Sequence, residues 1–140
     1  MRQALPVRAC DVDAAWPQVL GLIEQALSKG DGGHSSDDVK TACKSGEAQL
    51  WCGVGPAGLE MVAVTEIRKQ PRIKTMRVWL LAGSDAPGWI VDRLSAIEEW
   101  ARNAGCSRLD MLGRKGWLRR LPGWSHSHVV MSKEIAHGRR

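Results

Sequence analysis

Apolar positions recur at two different spacings along the chain, and each spacing predicts one kind of element. Near the N-terminus they lie three or four positions apart, which is the repeat of an amphipathic helix. That helix is predicted to run to about Ser28, with an apolar face formed by Val12, Trp16, Val19, Leu20, Ile23 and Leu27. The glycine-rich segment Gly30–Gly33 ends it. Ser35 or Ser36 then caps a second, shorter helix to about Ser45.

Shorter apolar runs, rich in β-branched residues, predict the strands. Ala4–Arg8 is typical of a short edge strand. Three further strands are predicted over Ala48–Val54, Leu59–Arg68 and Ile73–Ala82. The segments between them are too short for a parallel crossover, so we expect an antiparallel meander.

A second helical repeat follows the loop Gly83–Gly88 and predicts a long helix to about Ala104. Its apolar face is formed by Ile90, Leu94, Ile97 and Ala101, with Trp100 beside it. Gly105 is typical of a helix end. The next strand, Ser107–Leu112, comes after a helical crossover, so we expect it to lie parallel to the third strand of the meander.

The C-terminal region is predicted to contain a short helix, Lys115–Leu121, and a last strand, His128–Ile135. The sequence leaves open whether this last strand pairs within the chain. An unpaired edge there would recruit a second copy, giving a homo-oligomer, or a different partner by strand addition.

Size and composition favour one soluble domain spanning residues 1–140. Apolar residues make up 44% of the chain and charged residues 25%, as in ordinary globular proteins. No apolar run approaches the roughly 20 residues that cross a bilayer, and the N-terminus lacks a signal-peptide core, so a cytoplasmic location and no membrane partner are expected. The four cysteines form no Cys-x-x-Cys pair, which favours reduced, buried thiols and no metal site.

Charge and aromatic content add candidate surfaces. The net charge is +5, and basic residues cluster over Arg68–Arg77 and Arg114–Arg120. Such clusters attract anions, but no motif reads as a base-recognising element, so nucleic acid is the least favoured partner. The chain has seven tryptophans but no phenylalanine and no tyrosine. We expect core positions for Trp16, Trp51, Trp79 and Trp100, and a pocket or partner surface for Trp89, Trp117 and Trp124.

Short features along the whole chain resemble one known family. Leu118–Trp124 matches a family ending in which an apolar residue and a tyrosine precede a Gly-aromatic pair. The family is the GNAT superfamily of acyl-CoA N-acyltransferases, and the chain is similar in particular to small GNAT-like proteins encoded by bacteriophages and prophages. The other matching features are Leu50-Trp51, Thr65-Glu66-Ile67, Trp100-Ala101, Gly105-Cys106 and Gly113-Arg114-Lys115-Gly116-Trp117.

The resemblance implies an α/β (α+β) fold, with a central mixed but mostly antiparallel sheet flanked by about four helices. In this family two neighbouring parallel strands splay apart, and acetyl-CoA lies in the cleft between them. Here these strands would be Met76–Ala82 and Ser107–Leu112. The cofactor-binding residues that the resemblance implies are Leu80, Leu81, Gly83, Ser84, Gly88, Arg114 and Lys115.

The residues that would meet the cofactor phosphates depart from the family pattern. A pyrophosphate binds to backbone N–H groups at a helix N-terminus. The family provides these with a Gln/Arg-x-x-Gly-x-Gly/Ala loop, whereas Gly83–Gly88 spaces its glycines differently. Pro87 has no N–H, and Asp85 places negative charge where the phosphate should bind.

The acid position also departs from the family pattern, because Arg119 stands where the family has its tyrosine. A guanidinium does not give up its proton under physiological conditions, so Arg119 would act by stabilising negative charge. Glu66, near the end of a central strand, is the candidate general base or partner of the substrate amine.

Two functions therefore stand side by side. In the first, the protein transfers an acetyl group from acetyl-CoA to a small amine or to a protein amino group, using an altered site. In the second, the same fold serves as a non-catalytic binding or assembly module, such as a component of a phage virion. The location would then be the host cytoplasm or the virion.

Overall fold

The computed structural model describes residues 4–30, 32–56, 58–83, 89–111, 121–125 and 131–136. The chain begins with strand β1 (Ala4–Val7) and a 3-10 turn (Ala9–Asp11), which lead into two helices, α1 (Val12–Leu27) and α2 (Ser36–Ser45). The elements that follow are β2 (Ala48–Gly55), β3 (Gly58–Lys69), β4 (Lys74–Gly83), α3 (Trp89–Asn103) and β5 (Arg108–Met111).

Five strands form one sheet in the order β1-β2-β3-β4-β5. Strands β1 to β4 are antiparallel neighbours, while β5 is parallel to β4. The helical crossover through α3 is what allows this parallel pairing. The predicted meander and the predicted parallel strand are both confirmed.

Helices cover both faces of the sheet and produce two apolar cores. On one face α1 and α2 pack on the central strands, in a core formed by Val12, Trp16, Val19, Ile23, Val39, Cys43, Ala48, Leu50, Val62, Val64 and Leu80. On the other face α3 packs on residues of the same strands, in a core formed by Ala4, Trp51, Met61, Ala63, Met76, Val78, Ile90, Leu94, Ile97, Ala101 and Leu121. The predicted apolar face of α3 is confirmed.

Trp51 is the largest fully buried side chain of the α3 face. Its indole N–H donates to Thr65 Oγ1 at 3.0 Å, and the Thr65 hydroxyl donates to Gln49 Oε1 at 2.9 Å. The ring also meets Trp100 edge to face, with centroids 5.7 Å apart. The polar atom of a buried tryptophan is thereby satisfied, which removes the cost of desolvating it.

Helix ends follow the predicted signals. Ser35 caps α2 through a reciprocal pair, in which Ser35 Oγ accepts from the Asp38 N–H and Asp38 Oδ2 accepts from the Ser35 N–H. This backbone donor holds the pKa of Asp38 below its usual value. Gly105 follows α3 with φ of 86°, a left-handed conformation that favours glycine.

Two extra residues interrupt the ladders of the sheet. Val64 of β3 pairs with Leu80 of β4, and Thr65 of β3 pairs with Val78 of β4. Trp79 lies between these two pairs, so it is an extra residue of β4 with no opposite residue in β3. Gly53 of β2 pairs with Met61 of β3, and Val54 of β2 pairs with Leu59 of β3. Glu60 lies between these two pairs and is the extra residue of β3. A bulge of this kind bends the strand and shifts which face the following side chains meet.

The expected C-terminal elements are only partly within the described residues. Residues 112–120 and 126–130 lie outside them, and with them most of the predicted helix Lys115–Leu121. The predicted strand His128–Ile135 is wrong over its described part, because residues 131–136 belong to no strand. Met131 and Ile135 are 90% and 76% exposed, so no neighbouring strand or helix covers their apolar side chains.

Trp124 was expected at a pocket or a partner surface, because it lies beside a loop. It is half-buried and packs against the α3-face core beside Leu121. An indole carries a large apolar body, so a core edge beside a loop suits it as well as a partner surface does.

Two further observations concern the described part of the chain. None of its helices is long and apolar enough to cross a membrane. It also contains no group of three or more histidine, cysteine or acidic side chains arranged to hold a metal ion.

The cysteines provide a test of this packing. Burial raises the pKa of the Cys43 thiol to about 11 and also raises the pKa of Cys52, whereas Cys10 is exposed. Because the thiolate is the reactive form, iodoacetamide near neutral pH should modify Cys10 at least ~100-fold faster than Cys43. Peptide mass spectrometry of the native and urea-unfolded protein checks this. Equal rates at the two sites in the native protein would contradict the packing of α2.

Candidate functional site

The ladder between β4 and β5 is short. In the described residues it covers four pairs, from Thr75–Arg108 to Val78–Met111. Strand β4 continues for a further five residues, Trp79–Gly83, while β5 ends at Met111. We call Trp79–Gly83 the open β4 edge, because none of its residues is paired with β5 in the part of the chain described.

The β4 bulge lies at the start of this open β4 edge. Trp79 is the first residue after the last β4–β5 pair, and it is also the extra residue opposite β3. The bulge places Val78 in the α3-face core but Leu80 in the core under α1 and α2. A bend at this point turns the end of β4 relative to the paired part, where β5 lies alongside.

The predicted cofactor residues that are described all lie on the open β4 edge. Leu80 is buried under α1 and α2, so its side chain serves the core and only its backbone belongs to the edge. Leu81 is half-buried on the α3 face. Gly83 is the last residue of β4, and a Cβ there would lie 2.4 Å from the Glu60 backbone oxygen. Close approach of β3 therefore explains this glycine.

The other predicted site residues are not within the described ranges. They are Ser84, Gly88, Arg114, Lys115 and Arg119. Their roles stay predictions of the sequence.

Glu66 belongs to a row of charged residues that crosses three strands. It is half-buried in β3, opposite Arg77 of β4, which in turn lies opposite Asp110 of β5. Arg77 Nε donates to Asp110 Oδ1 at 3.1 Å. Alternation with core residues puts all three side chains on the face that α1 and α2 cover. Two carboxylates thus flank one guanidinium at the paired end of the ladder.

Asp110 was missed by sequence reasoning. It lies between Leu109 and Met111, which both pack against the α3-face core. That alternation was the available signal, since it sends the Asp110 side chain to the opposite face. Its partner Arg77 was visible only as one member of a basic cluster.

Two residues of that basic cluster are used inside the protein. Arg77 pairs with Asp110, and Lys74 Nζ donates to the Ala104 carbonyl at the end of α3. Arg68, Lys69 and Arg72 remain exposed. The cluster is therefore divided between structural contacts and solvent.

An imidazole lies against the bulge. The rings of His34 and Trp79 meet edge to face, with centroids 4.8 Å apart and planes at 74°. His34 directly precedes the Ser35 cap of α2, so the α1–α2 connection reaches over the start of the open β4 edge. No sequence signal joins two residues so far apart in the chain, and the contact appears only in the tertiary structure.

A buried ion pair joins α3 to the hairpin of β2 and β3. The side chain of Arg93 is 0% exposed, and its Nη2 donates to Glu60 Oε1 at 2.5 Å. Gly53 and Gly55 make room for this pair, since a Cβ at Gly53 would lie 2.3 Å from Arg93 Nη1 and one at Gly55 would lie 1.9 Å from Glu60 Oε2. The pair involves the β3 bulge residue, so it also ties the hairpin to the helix.

Arg93 was also missed by sequence reasoning, because a charged residue was not counted in the apolar stripe of α3. Its spacing was the signal: it lies three residues after Ile90 and four before Ile97. A charge in such a stripe needs a buried partner. Nothing in the sequence identifies Glu60 as that partner.

The fold has many solved counterparts, although sequence comparison finds none. No protein-family model matches the chain, and no curated protein is significantly similar to it in sequence. The aminoglycoside acetyltransferase meta-AAC0020 from an uncultured soil metagenomic sample superposes with a TM-score of 0.73 at 11% identity, covering 97% of each chain. One structure of that enzyme contains sisomicin.

Two other counterparts extend this likeness. The aminoglycoside N-acetyltransferase AAC(6')-Iy, solved in complex with CoA, gives a TM-score of 0.67 at 12% identity, over 97% of this chain and 96% of that one. A GNAT family acetyltransferase of Staphylococcus aureus gives 0.63 at 13% identity, over 94% and 97%. The chain therefore has a GNAT-like fold, as its sequence features indicated. At these identities the likeness concerns the fold alone.

The close approach at Gly83 predicts a specific cost. Substitution of Gly83 by Ala should destabilise the protein by about 1–3 kcal/mol, because the new methyl meets backbone that cannot swing away. Gly21→Ala is the matched control: it lies inside α1, a Cβ there meets nothing within 4 Å, and it should gain about 0.5–1 kcal/mol. Urea denaturation of both variants measures this, and equal stabilities would refute the close approach.

Removing the buried ion pair should cost more unfolding free energy than removing an exposed one. Glu60→Gln should lower the free energy of unfolding by about 3 kcal/mol, because the guanidinium of Arg93 stays buried without its counter-charge. The double variant E60L/R93M should recover most of this loss. Glu98→Gln removes an exposed partner of Arg102 and should cost less than about 0.5 kcal/mol. Similar losses for E60Q and E98Q would contradict the burial of Arg93.

Proposed function

We propose that the protein is an acyl-CoA-dependent N-acyltransferase that binds acetyl-CoA along the open β4 edge and acetylates an amine. The observation that carries this is the position of the β4 bulge: within the described residues the last β4–β5 pair is Val78–Met111, and the bulge residue Trp79 follows at once. In a GNAT-like fold, this is where the resemblance expects the parallel strands to separate around the cofactor.

The chemistry of the open β4 edge suits an acyl-CoA. A strand edge presents a row of N–H and C=O groups, and an extended ligand with amide groups can pair with such a row as an added strand would. The pantetheine arm of acetyl-CoA carries two amides, so it is a ligand of this type. Leu80, Leu81 and Gly83 would contact it mainly through their backbone. The structure of AAC(6')-Iy with CoA supports the choice of cofactor.

The phosphates of the cofactor would lie beyond Gly83. We assign Ser84, Gly88, Arg114 and Lys115 to them, as the resemblance implies. Backbone N–H groups near the start of α3 and two cationic side chains are suitable partners for a pyrophosphate.

The acceptor would approach from the face that α1 and α2 cover. Glu66 and Asp110 place two carboxylates there, and Arg77 neutralises one of them directly. Glu66 would therefore attract and hold the ammonium form of a small amine or a protein amino group. Arg119 would stabilise the negative charge that develops on the thioester oxygen. Two solved counterparts are aminoglycoside acetyltransferases, which supports an amine as acceptor.

A second candidate is the non-catalytic binding or assembly module, such as a phage virion component. Met131 and Ile135 are exposed apolar side chains that a partner protein could cover. The absence of tyrosine from the chain favours it too, since the acid that the family uses is missing.

Thermal unfolding separates the two candidates. A ligand that binds only the native state at 100 times its Kd adds about 2.7 kcal/mol of stability, a rise of several degrees in the unfolding midpoint. We expect such a rise with millimolar acetyl-CoA. Adenosine 3′,5′-bisphosphate, which lacks the pantetheine arm, should raise the midpoint much less.

Release of free CoA thiol on addition of an amine completes the experiment. Spermidine, sisomicin and a short peptide with a free N-terminus are suitable acceptors. A midpoint unchanged by acetyl-CoA would overturn the proposal. A rise without thiol release from any acceptor would leave cofactor binding in place but favour the non-catalytic module.

A further inference from the structure

We propose that His34 is the catalytic base that takes the proton from the acceptor amine, and that Trp79 holds its imidazole in place. This deepens the proposed acyl transfer and rests on it. The acceptor it implies is a primary amine that arrives protonated and must lose a proton before it can attack.

The first step of the argument is location. Trp79 directly follows the last β4–β5 pair of the described residues, at the mouth of the open β4 edge. The reacting thioester of a ligand that enters between the separating strands would lie near this point, since the paired strands block any further advance. The indole of Trp79 is half-buried on the face that α1 and α2 cover. A group that touches it therefore lies on the side from which the acceptor would approach.

The second step is chemistry. His34 makes that contact, with its ring edge to face on Trp79 at 4.8 Å. Histidine is the side chain that enzymes use most often as a general base. Its side chain is exposed, so a proton it accepts can pass on to solvent.

The third step separates His34 from Glu66. Glu66 lies opposite Arg77, on the paired part of the ladder, and its Cα is roughly 7–8 Å from that of Trp79 along the sheet diagonal. Its carboxylate is thus set back from the mouth of the cleft, while the guanidinium of Arg77 is paired with Asp110. That placement suits a group that holds an ammonium ion. His34 lies at the mouth itself, which suits the group that takes the proton.

The transfer balances with these roles. The ammonium nitrogen gives one proton to an imidazole nitrogen of His34, and its freed lone pair forms a bond to the thioester carbonyl carbon. The carbon–sulfur bond breaks as the carbonyl reforms. The amide nitrogen loses its second proton to solvent, and the sulfur leaves as thiolate or takes a proton from solvent. The products are the N-acetyl amine and CoA.

Two substitutions of one residue test the assignment. His34→Phe keeps an aromatic ring against Trp79 but removes the proton acceptor, and His34→Gln removes both. General-base catalysis is worth about 10²–10⁴ in rate, so both variants should lose at least ~100-fold in kcat/KM for amine acetylation. Asp37→Asn, an exposed change one turn into α2, is the control and should retain full activity.

The pH profile distinguishes a base from a structural contact. A protonated imidazole cannot take a proton from the amine, so kcat/KM of the wild-type protein should fall as the pH is lowered. The fall should disappear in H34F. A reduced rate that keeps the same acidic fall would overturn the role of His34 as base, and so would an H34F variant with wild-type kcat/KM.

Binding measurements keep this proposal apart from the proposed function. Acetyl-CoA should raise the unfolding midpoint of H34F as much as that of the wild type. If the wild-type protein fails to bind acetyl-CoA, the proposed function falls, and the inference with it. If the cofactor binds and acetyl transfer proceeds in H34F, only the inference falls. If the cofactor binds but the wild-type protein acetylates no acceptor, the catalytic role of His34 is overturned while cofactor binding stands.

Discussion

One additional residue in β4 sets the geometry on which the rest of the site depends. Trp79 has no opposite residue in β3, so the alternation of side chains between the two faces shifts by one residue after it. Leu80 consequently packs under α1 and α2, while Val78 packs under α3. The same bulge directly follows Val78–Met111, which is the last β4–β5 pair within the described residues.

The two faces of the sheet carry different interactions. The α3 face is the more heavily anchored: Trp51 is buried with its N–H satisfied, and the Arg93–Glu60 ion pair joins α3 to the β2–β3 hairpin. Burying an ion pair carries a large desolvation free energy unless its geometry is good. Gly53 and Gly55 make room for this pair. The opposite face carries the charged row and the His34–Trp79 contact.

Most of the fold was predictable from the sequence because its signals are local. Apolar spacing identified α1 and α3, the capping serine identified α2, and the short connections required an antiparallel meander. Ser35 and Gly105 marked helix ends that the structure confirms. The last strand was not predictable, because a segment such as 131–135, with apolar residues only at its two ends, becomes a strand only if another strand is there to pair with it. Arg93 was missed for a related reason. Helical spacing shows which face of α3 a residue lies on, but it does not show whether a charged residue there has a buried partner.

The candidate site shows the same division. The sequence by itself determined that the chain forms helices and strands in the order of a GNAT-like fold, and it identified Glu66 as a carboxylate near the end of a central strand. Only the tertiary structure decided that Asp110 and Arg77 share a row with Glu66, that Trp79 is the bulge residue, and that His34 lies against it. The physical reason is that periodicity and capping act over a few residues, whereas register, bulges and ring contacts depend on segments that are distant in sequence and meet only when the sheet and its helices pack together.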